Sequence, residues 1–191
     1  MRVLGIDPGT VTTGWGVVEE RGTRLVRVAG GVVRVRGVLA ARLAAILKQI
    51  DEVLTRFSPA ALCLEKSFVA ANVQSAFRLG EARGVVLAAG ARAGIPIGEY
   101  SPAEIKVAVV GTGRATKEQV QNMVCRLLAL DGEVTPDQAD ALAAAICYLH
   151  ARRLSEHVGD DKLVQLVRAR RRGRGRRWLS LAGRPGRPGR R

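Results

Sequence analysis

The sequence predicts an α/β fold, a mixed five-stranded sheet flanked by helices. Three observations carry this. The first 35 residues fall into three short apolar runs separated by Pro-Gly and Gly, the pattern of a β-meander. Residues 39–57 then repeat apolar side chains at alternating intervals of four and three, the helical period. A fresh apolar run, Ala61–Glu65, follows that helix, and a helical crossover between two strands favours parallel pairing.

Each element follows in order. Val3, Leu4 and Ile6 form a buried strand that ends at Asp7, just before the Pro8-Gly9 turn. Residues 13–19 read as its hairpin partner. Residues 24–35 alternate Val and Leu with Arg and read as a third strand, broken or bulged at Gly30-Gly31. The amphipathic helix that follows is stopped by Ser58-Pro59. The fourth strand ends in Glu65 as the first ended in Asp7, so parallel neighbours would bring both acids to one sheet edge. Residues 72–93 form a helix rich in small residues, and residues 95–100 a fifth strand. Residues 102–110 are a short helix or irregular piece before the Gly111-Thr-Gly-Arg-Ala loop. Thr116-Lys-Glu-Gln119 and Thr135-Pro-Asp-Gln138 are capping boxes that open two further helices, the last reaching about residue 153.

Charge divides the chain. The net charge is +14, yet residues 162–191 hold 12 of the 31 basic residues and none of the 17 acidic ones, so residues 1–161 carry only +2. We therefore expect a folded domain over residues 1–160. Residues 161–191 are expected to be a disordered Arg/Gly/Pro-rich tail that binds phosphates without reading sequence. No apolar run is long enough to span a bilayer, and the first strand leaves no room for a signal peptide, so a cytoplasmic, nucleoid-associated protein is expected. Cys63, Cys125 and Cys147 lie in apolar segments without a CxxC pair and read as buried thiols. His150 and His157 have no neighbours with metal-ligand spacing and read as structural.

Four carboxylates carry the chemistry. Asp7 at a strand end either caps its turn or binds a cation, because burial without a partner disfavours the charged form. Glu65 repeats that placement. Asp137 and Asp140 share one face of a helix start, where acids are also favoured by the helix dipole. Four converging acids would repel one another unless divalent cations neutralise them, and oxygen ligands suit Mg²⁺ or Mn²⁺. Two such ions, about 3.5–4 Å apart, would support attack of activated water on a phosphodiester without a separate general base.

The motifs Leu4-Gly-Ile-Asp-Pro-Gly-Thr10 with Thr13-Gly-Trp-Gly16, Leu64-Glu-Lys-Ser-Phe68, Leu79-Gly-Glu-Ala-Arg-Gly84, Val109-Val-Gly-Thr-Gly113 with Lys117, and Asp137-Gln-Ala-Asp-Ala-Leu-Ala143 run in unbroken order over residues 1–153. As a set they closely resemble RuvC, the bacterial family of Holliday-junction resolvases. The resemblance implies an RNase H-like fold. It implies a homodimer that makes paired symmetric nicks in four-way DNA junctions during recombination and repair, with RuvA- and RuvB-like branch-migration partners. It makes Asp7, Glu65, Asp137 and Asp140 the catalytic, Mg²⁺-binding acids, with two Mg²⁺ per subunit and Mn²⁺ as a substitute.

Four further residues would hold DNA. Lys117 opens a capped helix, where a cation opposes the dipole and reads as either a solvated Lys or a phosphate contact; the resemblance favours the contact. Lys106 is on sequence alone a surface Lys and matches a DNA-facing lysine of the family. Phe68 reads as a core residue under a loop or as a wedge stacking on unpaired bases, and the resemblance supports the wedge. Lys66 beside it is a phosphate contact. The small-residue helix over 72–93 is the candidate dimer interface.

Two other functions compete. An actin-like ATPase also opens with strand, Asp, Gly and Thr, but it needs two such domains, and Gly111-Thr-Gly-Arg-Ala-Thr-Lys117 lacks the Gly-Lys-Ser/Thr ending of a P-loop. A non-enzymatic DNA-binding protein driven by the tail would have no use for four placed carboxylates in a nearly neutral body.

Overall fold

The computed structural model describes residues 1–66, 73–132 and 134–158; the side chains of residues 157 and 158 are outside that description. Phe68 and the basic tail from 161 onward lie outside the described residues. The chain divides into a first unit, Met1–Ala151, and a second, Arg152–Arg191, of which only the last turns of one helix are described. Among the described residues no helix is long and apolar enough to cross a membrane.

The strands are β1 (Arg2–Asp7), β2 (Thr12–Arg21), β3 (Arg24–Arg34), β4 (Ala61–Glu65) and β5 (Ile97–Tyr100). The helices are α1 (Leu39–Phe57), α2 (Val73–Arg92), α3 (Pro102–Val110), α4 (Lys117–Leu127) and α5 (Pro136–Val158). The sheet order is β3-β2-β1-β4-β5. β1, β2 and β3 pair antiparallel, whereas β4 runs parallel to both β1 and β5. This is the mixed, helix-flanked sheet expected of an RNase H-like fold. β1 is central because both its faces are covered: Val3, Leu4 and Ile6 are fully buried.

Each sheet face has its own core. Leu4, Ile6, Val33, Val35, Leu62 and Leu64 meet Ile46, Ile50 and Val53 of α1 and Val86 and Ala89 of α2. Val3, Val18, Ala61 and Cys63 meet α3, α4 and the Ala-rich face of α5. α5 lies against the sheet because glycines leave it room. A Cβ on Gly5 would stand 1.9 Å from the Ala141 carbonyl oxygen, and one on Gly14 would stand 2.0 Å from that of Asp137. Main chain rests on main chain, and any larger residue would force the layers apart.

The structure corrects several expectations. β3 is continuous through Gly30-Gly31, and the register shift falls instead between Val17 and Val18. Those glycines are needed for room: Gln138 of α5 fills the space a Gly30 Cβ would take, and the Trp15 ring lies over Gly31. Residues 102–110, expected as a short helix or an irregular piece, form the helix, opened by a full capping box between Ser101 and Glu104. α5 extends five residues past the expected end. Cys63 and Cys147 are buried, and burial pushes both thiols up and keeps them neutral, but Cys125 is only half-buried. His150 is structural as expected, its Nδ1 2.9 Å from the Ala108 carbonyl oxygen.

Candidate active site

Asp7 ends β1 because the chain must turn there: Pro8 cannot donate to the ladder. The turn is fixed from two sides. The Thr13 hydroxyl donates to the Gly9 carbonyl oxygen at 2.7 Å and accepts from the Gly9 N–H at 3.3 Å. Arg42 of α1 reaches back to donate from Nη1 to the Thr10 carbonyl oxygen at 3.1 Å. Thr13 is fully buried and Thr10 nearly so. So the Asp7 turn is not capped by Asp7 itself, and its carboxylate is left to other partners.

Glu65 stands at the parallel end of β4, one strand away. It pairs with Tyr100 of β5, and the next N–H, that of Lys66, donates to the Tyr100 carbonyl oxygen at 2.7 Å. Asp140, one turn into α5, completes the cleft floor. The cleft has a volume of about 340 Å³, and its lining includes Asp7, Glu65, Asp140, Lys106 and Lys117. α3 and α4 supply the two lysines from the opposite wall. Lys117 Nζ lies 2.7 Å from Asp140 Oδ2. That hydrogen bond, more than any other cause, holds the Lys117 ammonium above its ordinary pKa.

The charges concentrate on Asp7. Burial, then the neighbouring charges of Asp140, Glu65 and Asp137, push its carboxyl up to about 7 against an ordinary 3.8, and Lys117 opposes them. All four expected acids are therefore within electrostatic reach of one point. They are not equivalent. Asp137 is outside the cleft lining, one turn nearer the start of α5, with its main chain pressed on Gly14. Among the described residues no three His, Cys, Asp or Glu side chains form a ready-made metal cage.

Of the expected DNA-contacting residues, Lys106 and Lys117 face the cleft. Lys66 is not among the lining residues; it lies near enough to Glu104 to help hold that carboxyl below its ordinary range, although the Ser101 cap contributes more. Phe68 lies outside the described residues. Two supports of the site, Thr13 and Arg42, were missed from sequence. Thr13 lies within a quoted motif, yet only the turn geometry gives its hydroxyl a task. Arg42 carries no local signal, since its partner is 32 residues away.

The family model described as crossover junction endodeoxyribonuclease RuvC matches residues 3–148. The RuvC crossover junction endodeoxyribonuclease of Oleidesulfovibrio alaskensis is 51% identical over 153 residues, covering 80% of this chain and 92% of that protein. That of Aromatoleum aromaticum is 49% identical over 150 residues, covering 78% and 81%. Among solved structures, Thermus thermophilus RuvC superposes with a TM-score of 0.75 at 37% identity, over 81% of this chain and 97% of that one. The same protein in complex with a Holliday junction substrate gives 0.78 at 36%, over 81% and 96%. The yeast mitochondrial resolvase Ydc2 shares the fold at a TM-score of 0.61 and 13% identity, over 82% of each chain. With acids from β1, β4 and α5 on one basic-walled cleft and a family match spanning most of its length, the chain belongs to the RuvC family of crossover junction endodeoxyribonucleases.

Proposed function

We propose that this protein resolves four-way DNA junctions by paired symmetric nicks, with Asp7, Glu65, Asp137 and Asp140 as its metal-binding acids. The observation that supports this most is the cleft in which Asp7, Glu65 and Asp140 face Lys106 and Lys117. A purely cationic groove would bind DNA without it.

The donor set fits Mg²⁺, with Mn²⁺ as a substitute and two ions per subunit. The ligands are all carboxylate oxygens, and the Asp7 carboxyl is held near 7 first by burial and then by the neighbouring negative charges. Mg²⁺ keeps several waters and takes one or two carboxylates plus substrate phosphate, so a site without a closed protein cage suits it. When bound, such ions supply water activation and neutralise charge developing on the phosphoryl oxygens.

The chain's own residues do the rest. Asp7, fixed by Thr13 and Arg42, sets the floor of the cleft. Lys117 holds Asp140 in place and presents a cation at the start of α4, where backbone N–H groups also favour a phosphate. Lys106 and Lys66 extend the positive wall, and Phe68 is proposed as the wedge at the junction centre. The basic residues of 161–191 add sequence-independent affinity.

Symmetric nicking needs two sites, hence a C2 dimer. The start of α2 supports one: Val73 and Phe77 are 73% and 70% exposed, and among the described residues nothing lies within 4 Å of where a Cβ on Gly80 or Gly84 would be. RuvA- and RuvB-like partners complete the reading. The test is cleavage of an end-labelled four-way junction with varied core sequences, against linear duplex, with Mg²⁺ or with chelator. Paired nicks on the junction alone, lost in chelator and in Asp7→Asn while binding persists, support the proposal. Binding without cutting under every metal and sequence tried would leave a junction-binding protein.

A further inference from the structure

The acid-free segment 21–50 carries seven basic residues, and two of them, Arg34 and Arg36, stand at and just past the end of β3. Both are exposed, and neither makes an ion pair among the described residues. Their direction is set by the pleat. Gly5, Gly14 and Gly16 face α5, so by alternation Asp7 and Thr12 face it too. On β3, Gly30 meets Gln138 of α5, which places Arg34 on that same face. Val33 and Val35 confirm the phase by entering the opposite core with α1 and α2. The Val35 N–H still bonds the Val11 carbonyl oxygen at 3.1 Å, so Arg36 continues the alternation one step beyond the strand.

Position along the sheet follows from register. Asp7 pairs with Gly14 and Gly14 with Val32, while Arg34 pairs with Thr12 at the same sheet end. Two strands across and two residues along place Arg34 roughly 12 Å from Asp7, the rise of three to four nucleotides at about 3.4 Å each. Val11 and Val38 beside the arginines are 61% and 74% exposed, an apolar rim to the basic patch. The cleft acids are thus flanked by Lys106 and Lys117 on the α3/α4 side and by Arg34 and Arg36 on the β3 side.

We propose that Arg34 and Arg36, with Val11 and Val38, form a second DNA contact that holds the duplex arm leaving the cleft on the β3 side. This rests on the junction-resolving reading above. Charge complementarity commits the patch to a polyanion, and its place on the face and edge of the acids commits it to the strand being cut. The guanidinium groups contact phosphates, and the valines lie against the sugar edge.

The experiment measures junction affinity against salt for the full chain, with Arg34→Ala/Arg36→Ala, Arg34→Lys/Arg36→Lys and, as a control at the far end of β3, Arg24→Ala. Each phosphate contact contributes about 0.9 to the slope of log affinity against log salt, so the double alanine variant should lose close to 2 from the slope. Its affinity at low salt should fall about tenfold, while the double lysine variant and Arg24→Ala keep both slope and affinity. Shortening the junction arms should make wild type behave like the double alanine variant. Thermal midpoints check folding, and the lysine pair keeps the test valid if the alanine pair misfolds. An unchanged slope in a folded double alanine variant overturns the proposal and points to a protein partner for the patch. Failure of wild type to prefer the junction at all would instead overturn the functional reading.

Discussion

Lys117 and Asp140 form a 2.7 Å ion pair that ties the start of α4 to the second turn of α5 across the cleft. The lysine therefore has two tasks: it fixes an acid, and among the described residues it is the cation that lowers the pKa of Asp7.

Replacing it should disturb both. Lys117→Met is expected to lower cleavage at saturating junction by about 100-fold, the scale for losing one preorganised charge-stabilising donor. It should also move the acid limb of the pH–rate profile to higher pH, because Asp7 then holds its proton longer. A reduced rate with an unmoved limb would separate Lys117 from Asp7.

Asp7 itself costs stability. Its carboxyl titrates at about 7 when folded and near 3.8 when unfolded, so between those values the folded chain binds the extra proton. Its contribution is present at low pH and lost as pH rises through about 7. Asp7→Asn, though inactive with Mg²⁺, should therefore be more stable than wild type in chelator at pH 8, by on the order of 2–4 kcal/mol. At pH 5 the difference should shrink, and Mg²⁺ should restore wild type through binding linkage. Denaturant melts at both pH values check this; equal stabilities at pH 8 would contradict the burial argument.

The contact of α5 with the sheet predicts a sharp asymmetry among glycines. Gly14→Ala must push the Asp137 main chain away, costing about 1–3 kcal/mol by overpacking. It should also lower cleavage, since it moves the two α5 acids relative to Asp7 and Glu65. Thermal denaturation and junction cleavage measure the two effects, and a fully active Gly14→Ala protein would show that α5 can retreat without harm.

Glycines of α2 should behave oppositely. Gly84→Ala has open space in the single chain and replaces a poor helix former, a gain of about 1 kcal/mol for the monomer. Phe77→Asp, on the exposed start of the same helix, should convert a dimer to a monomer in sedimentation. A dimer that persists in Phe77→Asp would move the interface elsewhere.

Local chemistry made much of this legible. An apolar run ending in an acid before a turn is visible at Asp7 and again at Glu65, and the helix between them implies parallel neighbours. What stayed hidden was non-local. Gly30-Gly31 looks like a bulge in one dimension, and only the arrival of Gln138 and Trp15 explains it. The salt bridge from Lys117 to Asp140 and the reach of Arg42 to Thr10 span too many residues for any spacing rule. The Ser101/Glu104 capping box is different: its Ser-x-x-Glu signature stands in the sequence, and Pro102 fits it, since proline is favoured at a first helical position.

The seating of α5 on Gly5 and Gly14 has a consequence for how this enzyme can evolve. Side chains between two layers act as adjustable spacers, and a change in any of them moves the layers. Here the spacing between β1 and α5 is set by backbone atoms in contact, which no substitution elsewhere can trim. The core behind β1, on the α1 and α2 side, can therefore drift in sequence and in stability while the gap between the β1 acid and the α5 acids keeps its length.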